Sequence, residues 1–168
     1  GKGIENLKRH IANMQGFGLP VVVALNQFSF DTAAEVAEVK KKCAHLGVDV
    51  VESRVWEKGG EGGAELARAV VRLIEEKPAD FHYLYEDEVP LWKKVETIAQ
   101  KIYGADQVEA DKKVRDKFRE LQDGGYGHLP VCMAKTQYSF SSDPNLLGAP
   151  KGFNLHVRDI KLAAGAEF

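Results

Sequence analysis

The chain has little of what marks a specialised class of protein. Two cysteines in 168 residues exclude a disulfide scaffold. Cys43 and Cys132 lie in apolar segments without metal-ligand spacing, so both read as buried free thiols, which fits a reducing compartment. The formal net charge is only −2, which gives no electrostatic case for nucleic acid or an anionic membrane. No apolar run approaches the roughly 18 residues of a membrane-spanning helix. No signal or transit segment is visible, and the cytoplasm is the expected location. His10, His45, His82, His128 and His156 include no pair at i, i+3 or i+4, so no metal site is expected. Ser139, Ser141 and Ser142 lack a GxSxG setting, which makes a serine hydrolase a poor reading. Neither a P-loop nor a GxGxxG fingerprint is present.

What remains is ordinary globular material, 44% apolar and 29% charged, enough for one domain with a sizeable core. Ile4, Leu7, Ile11 and Met14 form a helical stripe ending near Gly16 and Gly18. These first residues already read as a running helix, so the chain is expected to start within a longer protein. Residues 21–26 are a continuous β-branched run, as in a strand covered on both faces. Thr32 and Glu35 make a capping box for a helix carrying Val36, Val39, Cys43 and Leu46, closed by Gly47. Residues 48–52 read as a second strand, and residues 63–76 as a helix with Leu66, Val70, Leu73 and Ile74 inward. Lys8, Arg9, Lys40, Lys41 and Lys42 read as solvated helix faces.

The order is βαβα. The expected fold is α/β, a mainly parallel sheet flanked by helices, layered as in Rossmann or P-loop nucleotide-binding proteins but lacking the phosphate loop. Residues 78–128 read as a helical segment. Leu91, Val95, Ile98 and Ile102 mark one helix, stopped by Gly104. Another follows Asp111, with Val114, Phe118 and Leu121 inward. Strands are expected again at 130–134 and near 154–162, with a long Ser-, Pro- and Gly-rich loop between them. The whole reads as one α/β domain or fragment in three parts, 1–77, 78–128 and 129–168.

Two aromatics stand out by position. Phe28 follows the first strand and Trp56 the second, so in a parallel sheet both fall on the carboxyl rim, where such folds bind ligands. There they can grip a flat heterocycle. The competing reading is core packing, the usual fate of a large aromatic. The run Gly59-Gly60-Glu61-Gly62-Gly63 leads into a helix, and its N–H groups either hold an anion or form a flexible turn. Lys58 can assist an anion, and Lys135-Thr136-Gln137 occupies another post-strand position. Asp31, Glu52, Glu57 and Glu61 surround the rim, and nothing selects which of them reads a ring N–H.

Several long segments match one family in order: Pro20 to Phe28 with Asp31-Thr32, Val55 to Gly63, Ile102 to Asp106 and Gly127 to Gln137. They continue with Tyr138-Ser-Phe-Ser, Leu147 to Phe153, Val157-Arg-Asp-Ile and Ala164-Gly165. Together they resemble formate–tetrahydrofolate ligase, also called 10-formyltetrahydrofolate synthetase, over essentially the whole chain. The resemblance implies ATP-dependent ligation of formate to tetrahydrofolate through formyl phosphate, with MgATP, a monovalent cation and a homo-oligomer. It implies folate stacking by Phe28 and Trp56. Asn26, Lys58, Gly59, Gly60 and Gly62 are weaker candidates for polar contact, and no catalytic residue or metal ligand is assigned.

The sequence also departs from the family. The lysine-containing phosphate loop expected upstream and the Pro-Gly-Leu-Pro segment expected downstream are not in this sequence, and Glu167 stands where the family usually has glycine. The expected chain is therefore an internal portion of a longer ligase, joined in function to the remainder of that chain. Two alternatives differ in kind. One is a non-catalytic α/β binding or assembly module using the helices at 90–103 and 111–123. The other is a separate subunit whose site is completed by a second polypeptide.

Overall fold

The computed structural model describes residues 3–134 and 140–168. The expectations for Lys135, Thr136, Gln137, Tyr138 and Ser139 lie outside these. The chain forms two compact units, residues 1–82 and 83–168.

The first unit runs α1 (Ile4–Gly16), β1 (Val22–Asn26), α2 (Ala33–Ala44), β2 (Asp49–Ser53), α3 (Val55–Lys58), a 3₁₀ turn (Gly59–Gly63) and α4 (Ala64–Glu76). β1 and β2 pair in parallel, with Val22 opposite Asp49 and Asn26 opposite Ser53. The expected capping box is present: Thr32 Oγ1 accepts from the Glu35 N–H, and Glu35 accepts from the Thr32 N–H. Gly47 closes the α2 end at φ +66°, a left-handed conformation that an L side chain resists. Ile11, Val36, Cys43, Val48 and Ala69 are the buried apolar residues of this unit.

Two expectations fail here for one reason. β1 is not covered on both faces, since Ala24 is exposed among the described residues. On α4, Val70 and Ile74 do not point inward, and Ile74 is 70% exposed. The inward row is Leu66, Ala69 and Leu73, at i, i+3 and i+7. A two-stranded sheet is too narrow to cover a wider apolar stripe.

The second unit runs α5 (Leu91–Ile98) into a π turn (Ala99–Tyr103), then β3 (Gln107–Ala110) and α6 (Lys112–Leu121). An irregular turn (Gln122–Tyr126), β4 (Asn154–Val157) and a 3₁₀ turn (Ala164–Ala166) complete it. Gly104, left-handed at φ +74°, ends the first helix as expected. β3 and β4 pair in parallel, with Gln107 opposite Asn154. The core joins Leu91, Val95, Ala99, Tyr103, Val108, Val114, Phe118, Phe140 and Phe153. Trp92 meets Phe118 edge-on at 5.2 Å.

The departures in this unit are local. β3 lies in the segment expected to be helical. Asp111 precedes α6 but makes no side-chain cap bond. The last strand is shorter than expected, ending at Val157. Residues 130–134 form no strand of either sheet. Their burial alternates, with Val131 and Met133 turned toward the core and Cys132 and Ala134 outward. Cys132 is therefore exposed rather than buried, whereas Cys43 is fully buried as expected. The backbone N–H of Val131 donates to the Tyr85 hydroxyl (2.9 Å) instead of a neighbouring strand.

Both units are parallel β pairs with helices packed against them, so the expected α/β class holds. Among the described residues, no helix is long and apolar enough to cross a membrane.

Candidate aromatic site

The site is built from two strand ends. At the end of β1, the Gln27 N–H donates to Ser53 O (3.0 Å), extending the strand pairing one residue past Asn26. The chain then turns. The Phe28 N–H donates to Asp31 Oδ2 (2.8 Å), and the Asp31 N–H donates to Phe28 O (3.1 Å). These reciprocal bonds fix the backbone that carries Phe28, and the α2 capping box begins one residue later.

At the end of β2 the chain enters α3. The Arg54 N–H donates to Gly62 O (3.0 Å), folding the glycine turn back onto the start of α3. A Cβ at Gly62 would lie 2.4 Å from the Arg54 carbonyl oxygen, so this glycine permits a close backbone approach. Gly59 is at φ +58°, whereas a Cβ at Gly60 would meet nothing within 4 Å. Lys58 is exposed and makes no ion pair among the described residues, and Asn26 is exposed at the β1 end.

The two expected aromatics come together. Phe28 and Trp56 stack with ring centroids 5.9 Å apart and planes 25° from parallel. Neither is a core residue: Phe28 is 41% exposed and Trp56 51%. The indole Nε1–H donates to the Gln27 carbonyl (2.5 Å), and Arg54 Nε donates to Gln27 Oε1 (2.9 Å). Gln27 thus receives both segments that follow β2, a role its sequence position alone does not reveal. Phe30, also not singled out by sequence reasoning, stacks on Phe28 at 5.9 Å with planes 6° apart. Its signal was the Phe-x-Phe spacing.

Two van der Waals layers between ring planes require roughly 7–8 Å. Phe28 and Trp56 stack on each other with centroids 5.9 Å apart, so admitting a flat ring requires the two to separate. The 28–31 turn is fixed by two bonds, whereas Trp56 sits on a four-residue helix followed by glycines. Trp56 is held in turn by its indole bond to Gln27 O and by the Arg54 N–H bond to Gly62 O.

In the second unit, Leu91, Tyr103, Met133, Phe153 and Ile160 are among the residues that line a mainly apolar groove of about 1270 Å³. Its described charged residues are Arg158, Asp159 and Lys161. Among the described residues, no cluster of three or more His, Cys, Asp or Glu side chains is placed to hold a metal ion.

The most unusual titratable group is Lys94, which sequence reasoning did not single out. It is fully buried. Its ammonium donates to the backbone carbonyls of Asp87 (2.6 Å), Gly127 (2.9 Å) and Leu129 (2.9 Å). Burial pulls its pKa below the usual lysine range, and the charges of Asp87 and Glu88 oppose that shift. All three ammonium protons are used, so this is a structural tie and not a free base.

The first unit is thus of the α/β class, with an aromatic pair past the carboxyl ends of two parallel strands and beside a glycine turn. Sequence comparison makes the class specific. The sequence model of the family described as formate--tetrahydrofolate ligase matches residues 1–168. A formate--tetrahydrofolate ligase of Ruegeria sp. (strain TM1040) is 56% identical over 166 residues, which cover 99% of this chain and 30% of the relative. The ligase of Granulibacter bethesdensis is 55% identical over 167 residues, covering 99% and 29%. That of Paracoccus denitrificans is 56% identical over 166 residues, covering 99% and 30%. The chain belongs to the formate–tetrahydrofolate ligase family and spans about 30% of the length of these relatives.

Proposed function

We propose that this chain supplies the folate-binding wall of an ATP-dependent ligase that joins formate to tetrahydrofolate. The observation that carries the reading is the half-exposed Phe28–Trp56 stack, anchored through the indole N–H on Gln27. Half-exposed rings held face to face are poor candidates for core packing and good ones for stacking a heterocycle, which contributes roughly 0.5–1.5 kcal/mol per contact beyond burial.

In the reaction, a formate oxygen attacks the γ-phosphorus of ATP, releasing ADP and leaving formyl phosphate. N10 of tetrahydrofolate then attacks the formyl carbon, and phosphate departs. The residues of this chain bind and orient. Phe28 and Trp56 hold the pterin so that N10 meets the formyl carbon, and orientation of this kind accounts for roughly 7–11 kcal/mol of barrier reduction in favourable cases. Asn26, Lys58, Gly59 and Gly60 are candidate polar contacts around the ring. Gly62 is a further candidate through its N–H, while its carbonyl accepts from the Arg54 N–H. ATP phosphate binding is assigned to residues outside this sequence, which has no phosphate loop. The same reading makes the protein a cytoplasmic homo-oligomer.

The assembly-module alternative needs apolar surface on the helices at 90–103 and 111–123. The exposed large apolar residues include none from those segments, which favours the ligase reading.

The test is Trp56→Ala in the intact ligase. The expected result is a raised KM for tetrahydrofolate with the KM for ATP nearly unchanged. An unaltered KM for tetrahydrofolate overturns the stacking role.

A further inference from the structure

Phe30 is 79% exposed, so burial in a core does not explain its position. Its ring nevertheless lies 6° from parallel with Phe28 at 5.9 Å. Phe28 is the ring common to two stacks, one with Phe30 and one with Trp56. The Asp31 side chain sets the geometry, since it accepts from the Phe28 N–H within the turn that also carries Phe30. A ring entering between Phe28 and Trp56 pushes them apart, so Phe28 loses its contact with Trp56. Phe28 has a pinned backbone but retains side-chain torsional freedom. Among the described aromatic rings, the one besides Trp56 that stacks on Phe28 is Phe30.

We infer that Phe30 is a positioning residue for the folate ring: it holds the Phe28 ring in its stacking orientation when the folate ring separates it from Trp56. The inference rests on the proposed stacking role of Phe28 and Trp56. Phe30 acts through Phe28 and touches no reacting atom. The requirement is for a flat ring, so shape and not bulk is decisive.

The experiment is a double-mutant cycle in the intact ligase, with KM and kcat for tetrahydrofolate and a thermal melt for each variant. Phe30→Ala is expected to raise the KM for tetrahydrofolate about two- to tenfold, with the KM for ATP and the melting temperature unchanged. Phe30→Tyr should restore the KM and Phe30→Leu should not. Phe28→Ala with Phe30→Ala should be no worse than Phe28→Ala alone, because the second ring then has nothing to hold. If Phe28→Ala and Trp56→Ala leave the KM unchanged, the stacking reading fails and the Phe30 role falls with it. If those variants raise the KM while Phe30→Ala does not, only the Phe30 role is overturned. Fully additive losses also overturn it, since they mean that Phe30 meets the ligand independently. A lowered melting temperature with full rescue by Phe30→Leu would make Phe30 merely structural and equally overturn the inference.

Discussion

The ammonium of Lys94 lies 5.6 Å from the centroid of the Tyr85 ring, and the Tyr85 hydroxyl accepts from the Val131 N–H. Through this pair the loop at 85–87, helix α5 and the segment at 127–131 are tied at one point. Three backbone carbonyls converge on a single charge.

Lys94→Met keeps the approximate volume and the apolar stem but strands those carbonyls. The expected cost is roughly 2–4 kcal/mol. Urea denaturation should show a lower midpoint with an unchanged slope. A midpoint within error of the parent protein would mean that the carbonyls find other partners and that the tie has little energetic weight.

The glycine turn gives a contrasting pair. Gly62→Ala places a methyl 2.4 Å from the Arg54 carbonyl oxygen, so the turn and the α3 segment carrying Trp56 must shift. The expected cost is about 1–3 kcal/mol, as for other overpacked sites, together with weakened tetrahydrofolate binding. Gly60→Ala meets nothing within 4 Å and should be neutral for stability. Thermal melts and KM values of the two variants decide the matter, and equal effects would refute the close-approach account.

Trp56→Phe retains an aromatic face and deletes only the indole N–H that reaches Gln27 O. Its tetrahydrofolate affinity should fall between those of the parent and Trp56→Ala, with about 0.5–1.5 kcal/mol lost with the hydrogen bond. Isothermal titration on the three proteins tests this. A Phe variant as weak as the Ala variant would show that anchoring, not ring stacking, sets affinity.

The capping box of α2 predicts a pH effect. Hydrogen bonds from the Thr32 backbone and hydroxyl hold the Glu35 carboxyl below its ordinary value of 4.5. A depressed carboxylate contributes stability that is present above the unfolded pKa and is lost as pH falls through the folded one. Between pH 6 and pH 3, Glu35→Gln should therefore lose less stability than the parent, by urea midpoint. Parallel acid losses would remove Glu35 from the account.

How much of this was legible depended on how local each signal was. β1, α2, β2 and the capping box follow from period and cap chemistry within a dozen residues, and the structure agrees to within a residue or two. Phe28 and Trp56 were found because a strand followed by a turn fixes a rim position, whatever the rest of the chain does. Phe30 was passed over because its contact depends on the turn that Asp31 closes. The expected strand at 130–134 shows the limit of pattern: the alternation is real, but a ladder also needs a partner, and Val131 instead meets Tyr85.

The sequence by itself determined the α/β class, the family and the two aromatics at the strand ends, because strand period, helix caps and rim position are properties of short segments. Tertiary structure decided that those aromatics touch each other, that Gln27 anchors one of them, and that Lys94 is a buried tie. Those relationships join residues 7 to 35 positions apart, and only the folded chain sets the distances between them.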